Sequence, residues 1–302
     1  MTVIALDVGG TYIKGGTLGQ DGTLHHRERW LTRAERGPEA VLETVLGCAA
    51  TLAERCRPAA AGIVVPGIVD EASGNAVLAA NLGWRDVPVQ DWLAEHLDLP
   101  VAFGHDVRAG ALAEARAGAG RDCPDFLFVP VGTGIAAAAV VAGRVLTGGH
   151  GRAGELGHVV VRPGGDPCSC GGRGCLETVA SAAAVARRYA RATGWQGVTA
   201  REVCHRADAG DAVAGTVWTE AIEALADGLA TAISLYDPAR VVLGGGLAKA
   251  GESFLAPLRK ALGRRLTFHA APSVVPAHLG DRAGCLGAAL LAQDLLAERV
   301  IP

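Results

Sequence analysis

The chain has 302 residues, of which half are hydrophobic but only 4% aromatic, and its 28 Lys and Arg against 31 Asp and Glu give a net charge of −3. This length suits two medium domains or one large α/β unit, and the charge leaves no footprint for nucleic acid or an anionic membrane surface. Apolar runs such as "AAAAVVAG" are too short to span a bilayer, and with a strand pattern starting by residue 3 no signal peptide is expected. A cytoplasmic protein is expected, in which paired disulfides would be unusual.

"VIALD" (3–7) is a short apolar run ending in a carboxylate and then "VGGT", which reads as a buried strand entering a glycine turn. "YIKGGTL" and "GTLHHRERW" follow as strands of an antiparallel meander. After Gly37-Pro38, apolar positions 41, 42, 45, 46, 49 and 52 keep helical spacing. "AAGIVVPG" (60–67) and "VAFGHD" (101–106) return as strands, and Asp106 opens the helix "DVRAGALAEARAG".

The same grammar restarts near Gly118. "DFLFVPVGTGIAAAAVVAG" (125–143) reads as strand, glycine turn, strand, with His158 further on expected on a strand. A helical stretch covers 176–235, "ARVVLGGGLAKAG" (239–251) is strand, triple glycine, helix, and a last helix spans roughly 282–298. Two α/β halves around a cleft are the expected architecture, with an internal duplication suggested.

Glycine turns after buried strands let backbone N–H groups approach phosphate oxygens. "DVGGTYIKGG" supplies Gly9 and Gly10, the Thr11 hydroxyl, the Lys14 ammonium, and in Asp7 a carboxylate able to hold hydrated Mg²⁺. "VGTG" supplies Gly132, Thr133 and Gly134, and "LGGG", with Gly245, a third surface suited to a nucleotide. Each turn alone is weak evidence; three in the order of a two-lobed nucleotide cleft are stronger. None is a Walker A loop.

"CSCGGRGC" places Cys168, Cys170 and Cys175 on a tight glycine turn ten residues after His158. Cys3His is a standard tetrahedral structural zinc set. Three core thiols fit a glycine-rich polar segment poorly, and C-x-C in a turn lacks the helix start that lowers thiol pKa in redox pairs. Asp106 at a strand-to-helix junction could be no more than an N-cap, and Glu155 and Glu177 no more than solvated turn carboxylates. The zinc turn, however, tethers Glu155, His158 and Glu177 to one spot suited to a polyhydroxylated ligand, to which Asn81 would add an amide.

"DVGGTYIKGG", "PGIVDEASG", "NLGW", "HDVRAGALAE", "VGTGI", "GELGH", "CSCGGRGCLE" and "VVLGGGLA" together resemble the successive signatures of ROK-family sugar kinases, from residue 4 to about 290. The resemblance implies an actin/hexokinase-like (ribonuclease H-like) α/β fold. Residues 1–117 would form a small domain, with the helix 288–302 packed back on it, and 118–287 a large domain with the zinc motif and dimerisation helices. It implies Mg-ATP as phosphoryl donor, a hexose as acceptor, structural zinc, and a homodimer or dimer of dimers. Asp106 would be the catalytic base. Gly67, Asn81, His105, Glu155, His158 and Glu177 would line the sugar, and Asp7, Gly9, Gly10, Thr11, Lys14, Gly132, Thr133, Gly134 and Gly245 would face the nucleotide.

Two departures stand out. Gly134 is followed by Ile135, Ala136 and Ala137 where relatives often carry further glycines, and His105 precedes Asp106 where most relatives have Asn. An imidazole separates donor and acceptor across a larger ring and can titrate, so His105 could shift the substrate from glucose to a modified hexose, an amino sugar or a carbocyclic pseudo-sugar. Other readings are a catalytically silent sugar-binding protein, which would be expected to lose Asp106 or a phosphate loop, and a polyphosphate-using kinase. The family's repressor branch carries an N-terminal helix-turn-helix domain, which is not expected here because the first phosphate strand starts at residue 3.

Overall fold

The computed structural model describes residues 1–19 and 21–299; residues 300–302 of the expected terminal helix lie outside them. The chain divides into two compact units. The first takes Met1–Ala113, Thr147–Arg152 and the chain from Asp281 onward; the second takes Glu114–Leu146 and Ala153–Gly280.

The first unit contains β1 (Val3–Val8), β2 (Tyr12–Leu18), β3 (Leu24–Leu31), α1 (Pro38–Cys56), β4 (Ala60–Val65), β5 (Ile68–Asp70), β6 (Asn75–Ala79), β7 (Trp84–Val87), α2 (Val89–Leu97), β8 (Val101–His105) and the start of α3 (Asp106–Ala117). The second contains β9 (Phe126–Pro130), β10 (Ala138–Val141), β11 (Arg144–Val145), α4 (Leu176–Ala180), α5 (Ala182–Thr193), α6 (Ala200–Asp208), α7 (Ala212–Tyr236), β12 (Arg240–Gly244), α8 (Gly245–Ala248), α9 (Glu252–Gly263) and β13 (Ser273–Pro276). The final helix, α10 (Ala283–Glu298), belongs to the first unit.

The main sheets share one plan. The first runs β3-β2-β1-β4-β8 and the second β11-β10-β9-β12-β13. In each, an antiparallel meander leads into two strands parallel to the first strand of the unit. The suggested duplication is therefore present in the topology. A separate sheet, β5-β6-β7, was not expected from the sequence, because its strands are short and its register is irregular.

β1 explains why its apolar run is continuous. Ile4, Leu6 and Val8 pack with Val41, Val45 and Leu52 of α1, while Val3 and Ala5 pack on the other face with Cys285, Ala288 and Ala292 of α10. Period-2 alternation puts successive side chains on opposite faces, and both faces here are covered. α10 lies so close to β4 that a methyl added at Gly62 would be 1.9 Å from the Ala288 carbonyl oxygen.

The division between units falls inside α3, at 113/114. Glu114 is fully buried, and its carboxylate accepts N–H bonds from Ala119, His278 and Leu279, all in the second unit. Three backbone donors satisfy a charge that would otherwise be costly to bury.

Candidate active site

In the first unit, Asp7 and Lys14 are cross-strand partners of β1 and β2, and their side chains meet at 3.3 Å. Burial pushes the Asp7 carboxyl up to about 6; Lys14 opposes this, while the charges of Asp106 and Asp281 add to it. The turn that follows is closed by the Gly9 N–H donating to the Tyr12 carbonyl at 2.9 Å, with the Thr32 hydroxyl holding the Gly9 carbonyl at 2.6 Å. Thr11 is exposed on this turn. A methyl at Gly10 would come within 3.0 Å of the Asn81 Cβ, so the first glycine turn and the "NLGW" segment are immediate neighbours. Gly67 has φ +94°, and a methyl there would sit 2.2 Å from the Leu78 carbonyl oxygen.

β8 ends at His105 and α3 begins at Asp106. The Val107 N–H donates to Asp106 Oδ1 at 2.7 Å and approaches His105 Nδ1 at 3.2 Å. His105 thus stands at the N-cap position, its ring nitrogen accepting from the second helical residue. The Asp106 carboxylate, whose Oδ1 also lies 3.5 Å from His105 Nδ1, remains about a third exposed at 31%.

In the second unit, Gly132 N–H donates to the Gly134 carbonyl at 2.9 Å, forming a tight loop with Thr133 exposed at its tip. The Glu177 carboxylate lies beneath this loop. Its Oε2 accepts the Ile135 N–H at 2.9 Å, and a methyl at Gly134 would be 2.4 Å from the same oxygen. Ile135 and Ala137 turn their side chains into the core. Gly245 has φ +80°, and a methyl there would be 2.4 Å from the Val131 carbonyl oxygen, so "LGGG" packs directly on the strand that carries the loop.

The expectation that His158 lies on a strand is wrong. Leu156–His158 form a short 3₁₀ turn. Methyls at Gly154 and Gly157 would lie 1.9 Å and 2.1 Å from the carbonyl oxygens of Ala137 and Ile135, so "GELGH" coils tightly against the segment after the second glycine loop. This turn points His158 Nδ1 at Cys168 Sγ, 3.5 Å away, and leaves Nε2 at 3.8 Å from Glu155 Oε2.

Cys170 and Cys175 Sγ are 3.7 Å apart, and all four donor atoms of His158, Cys168, Cys170 and Cys175 lie within 4.8 Å of one another. A tetrahedron with ~2.3 Å metal–sulfur arms has edges of about 3.8 Å. The set therefore fits a tetrahedral thiophilic cation such as zinc. Without such a charge, burial and the neighbouring thiols push Cys175 up to about 12. The turn is shaped by Gly171 at φ +89° and by Gly174, where a methyl would collide with the Arg162 carbonyl at 1.7 Å. A recess of about 370 Å³ is lined by Thr133, Cys168, Ser169, Glu177 and Arg187.

The expected site residues are thus divided between the units. Asp7, Gly9, Gly10, Thr11, Lys14, Gly67, Asn81, His105 and Asp106 belong to the first, and Gly132, Thr133, Gly134, Glu155, His158, Cys168, Cys170, Cys175, Glu177 and Gly245 to the second. Two residues escaped the sequence reading. Glu71 and Arg108 bond to the β8–α3 junction and to each other. The only local signal was an arginine two positions after Asp106 in an alanine-rich helix.

The ROK family model matches residues 3–295. The chain belongs to the ROK family. Among its relatives, the glucokinase of Thermotoga maritima is 33% identical over 97% of this chain and 98% of its own length. The N-acetylmannosamine kinase of Shigella boydii is 34% identical over 97% of this chain and 99% of its own. The crystal structure of a ROK family glucokinase from Streptomyces griseus in complex with glucose and AMPPNP superposes with a TM-score of 0.87 at 31% identity, covering 97% of this chain and 100% of that one. The expected actin/hexokinase-like fold is borne out by this likeness to ROK sugar kinases.

Proposed function

We propose that the chain transfers the γ-phosphoryl group of ATP to the primary, 6-type hydroxyl of a hexose, glucose foremost, with Asp106 as general base. Its place among glucokinases and N-acetylmannosamine kinases makes it an ATP-dependent sugar kinase. The observation carrying the finer reading is the Asp106 carboxylate, partly exposed at the β8–α3 junction and electrostatically coupled to Asp7 beside the first glycine turn.

In this reading Asp106 accepts the proton of the attacking hydroxyl late, as its oxygen bonds to the γ-phosphorus and the bond to the ADP oxygen breaks. The N–H groups of Gly9–Thr11 and Gly132–Gly134, with Lys14, orient the phosphates and balance their charge. Asp7 is the carboxylate suited to meet Mg²⁺, since its buried charge, beside those of Asp106 and Asp281, calls for a cation. When bound, Mg²⁺ neutralises phosphate charge. Glu155, His158, Glu177, Asn81 and Gly67 bind the sugar, and zinc on His158, Cys168, Cys170 and Cys175 holds one wall of that site. The enzyme would work in the cytoplasm as a homodimer or dimer of dimers, as its family resemblance implies.

A second acceptor class, amino or otherwise modified hexoses and pseudo-sugars, is favoured by His105. Its Nδ1 is engaged by the Val107 N–H, so the ring presents different chemistry from a short amide. A coupled ADP-release screen over hexoses, amino sugars and cyclitols separates the two classes. Asp106→Asn should lower kcat roughly 10²- to 10⁴-fold with the fold intact. Wild-type kcat in that variant would refute the base assignment.

A further inference from the structure

We propose that Glu71 and Arg108 are a positioning pair that holds the Asp106 junction and the segment 147–152 in place for catalysis. The inference rests on the reading of Asp106 as the base.

β8 is an edge strand, so the outward N–H at its end needs a partner from elsewhere. Glu71, just after β5, supplies it: its Oε1 accepts the His105 N–H at 3.2 Å. The same oxygen accepts Arg108 Nε–H at 3.0 Å, and Arg108 Nη2 lies 3.0 Å from it as an ion-pair contact outside hydrogen-bond geometry. One carboxylate oxygen therefore grips the residue before Asp106 and the residue two after it. The Arg108 side chain is only 6% exposed, and its third nitrogen, Nη1, donates to the Gly151 carbonyl at 3.0 Å.

Gly151 lies in the stretch Thr147–Arg152, which belongs to the first unit although the residues on both its sides belong to the second. It has φ +65°, and a methyl there would be 2.8 Å from the Val69 carbonyl oxygen. The stretch thus rests on the backbone that leads into Glu71. Four residues beyond Gly151 comes Glu155. Arg108 addresses two targets with a planar fork, which a lysine ammonium on a flexible stem does not reproduce. Glu71, the His105 backbone, Arg108 and Gly151 form one connected group, in which losing Glu71 strips the buried Arg108 guanidinium and the His105 N–H of their shared acceptor. A general base displaced by about 1 Å can lose two orders of magnitude in rate. Glu71 and Arg108 need touch no substrate to act in this way.

Arg108→Lys and Glu71→Gln should each lower kcat roughly ten- to hundredfold while leaving the KM for ATP within about twofold. Amide exchange measured by mass spectrometry should accelerate in peptides covering 105–108 and 148–151, with β1 and β2 unchanged. Glu71→Gln keeps an oxygen for the His105 N–H and matches the shape of Glu71, so it should lose less activity than Glu71→Ala. Equal losses in those two, or kcat within about twofold of wild type in both Arg108→Lys and Glu71→Gln, would overturn the proposal. Asp106→Asn provides the control: it should lower kcat roughly 10²- to 10⁴-fold without changing exchange in those peptides. If Asp106→Asn instead keeps its kcat, the base reading fails, and the exchange data still report separately on the clamp.

Discussion

Asp7 couples the stability of the first unit to pH in a way that can be calculated. Its carboxyl titrates at about 6 in the folded chain against an ordinary 3.8, chiefly because it is buried, with Lys14 offsetting part of the cost and Asp106 and Asp281 adding to it. At 1.36 kcal/mol per pKa unit, that gap is about 3 kcal/mol. A raised folded pKa means that the folded state holds the proton more tightly, so this contribution is complete below about 3.8 and lost as the pH rises through about 6. Asn in place of Asp7 mimics the protonated group and never ionises. Between about pH 4.5 and pH 7.5 the stability of Asp7→Asn relative to wild type should therefore rise by about 2 kcal/mol, the part of the gap that falls in that window. Matched urea unfolding curves for the two proteins across the range measure it. Taking the difference cancels the salt-bridged carboxylates, such as Glu223 and Asp227, whose pKa values are lowered and whose pH dependence has the opposite sign. Mg-ADP should shrink the difference at the upper end by supplying the missing positive charge. A difference that stays flat with pH, or falls as pH rises, would refute the account of Asp7 as an ionised group held at the expense of stability.

Purified protein should contain about one zinc per chain, lost together with thermal stability in Cys170→Ser; a metal-free preparation with full stability and activity would rule out the Cys3His site. Gly245→Ala should destabilise the second unit by roughly 3 kcal/mol or more, read by thermal melting, because φ is +80° and the new methyl would meet the Val131 backbone at 2.4 Å. A change below about 1 kcal/mol would show that the turn relaxes freely. His105→Asn should reorder kcat/KM among glucose, amino sugars and pseudo-sugars by roughly ten- to hundredfold, more than it changes ATP affinity. Uniform shifts across that panel would leave His105 as a helix cap alone.

Local chemistry was readable from the chain itself. "VIALD" is buried on both faces and could only be an interior strand. The glycine turns at Gly9–Gly10 and Gly132–Gly134 follow such strands directly, and the four candidate metal donors fall within eighteen residues and lie within 4.8 Å of one another in the fold. Boundaries such as Tyr12–Leu18 and Asp106 as the first residue of α3 emerged because periodicity and turn residues act over a few positions. Contacts between distant segments obeyed no such local rule. The coil of "GELGH" is dictated by the carbonyls of Ile135 and Ala137, and the tie of Glu177 to the Ile135 N–H joins positions 42 residues apart. Glu71 and Arg108 are 37 apart, and Arg108 and Gly151 are 43 apart. Which donor meets which acceptor over such separations depends on strand register and helix placement. Those are decided only when the sheets and cores of the folded chain pack, because the partners have no proximity until then.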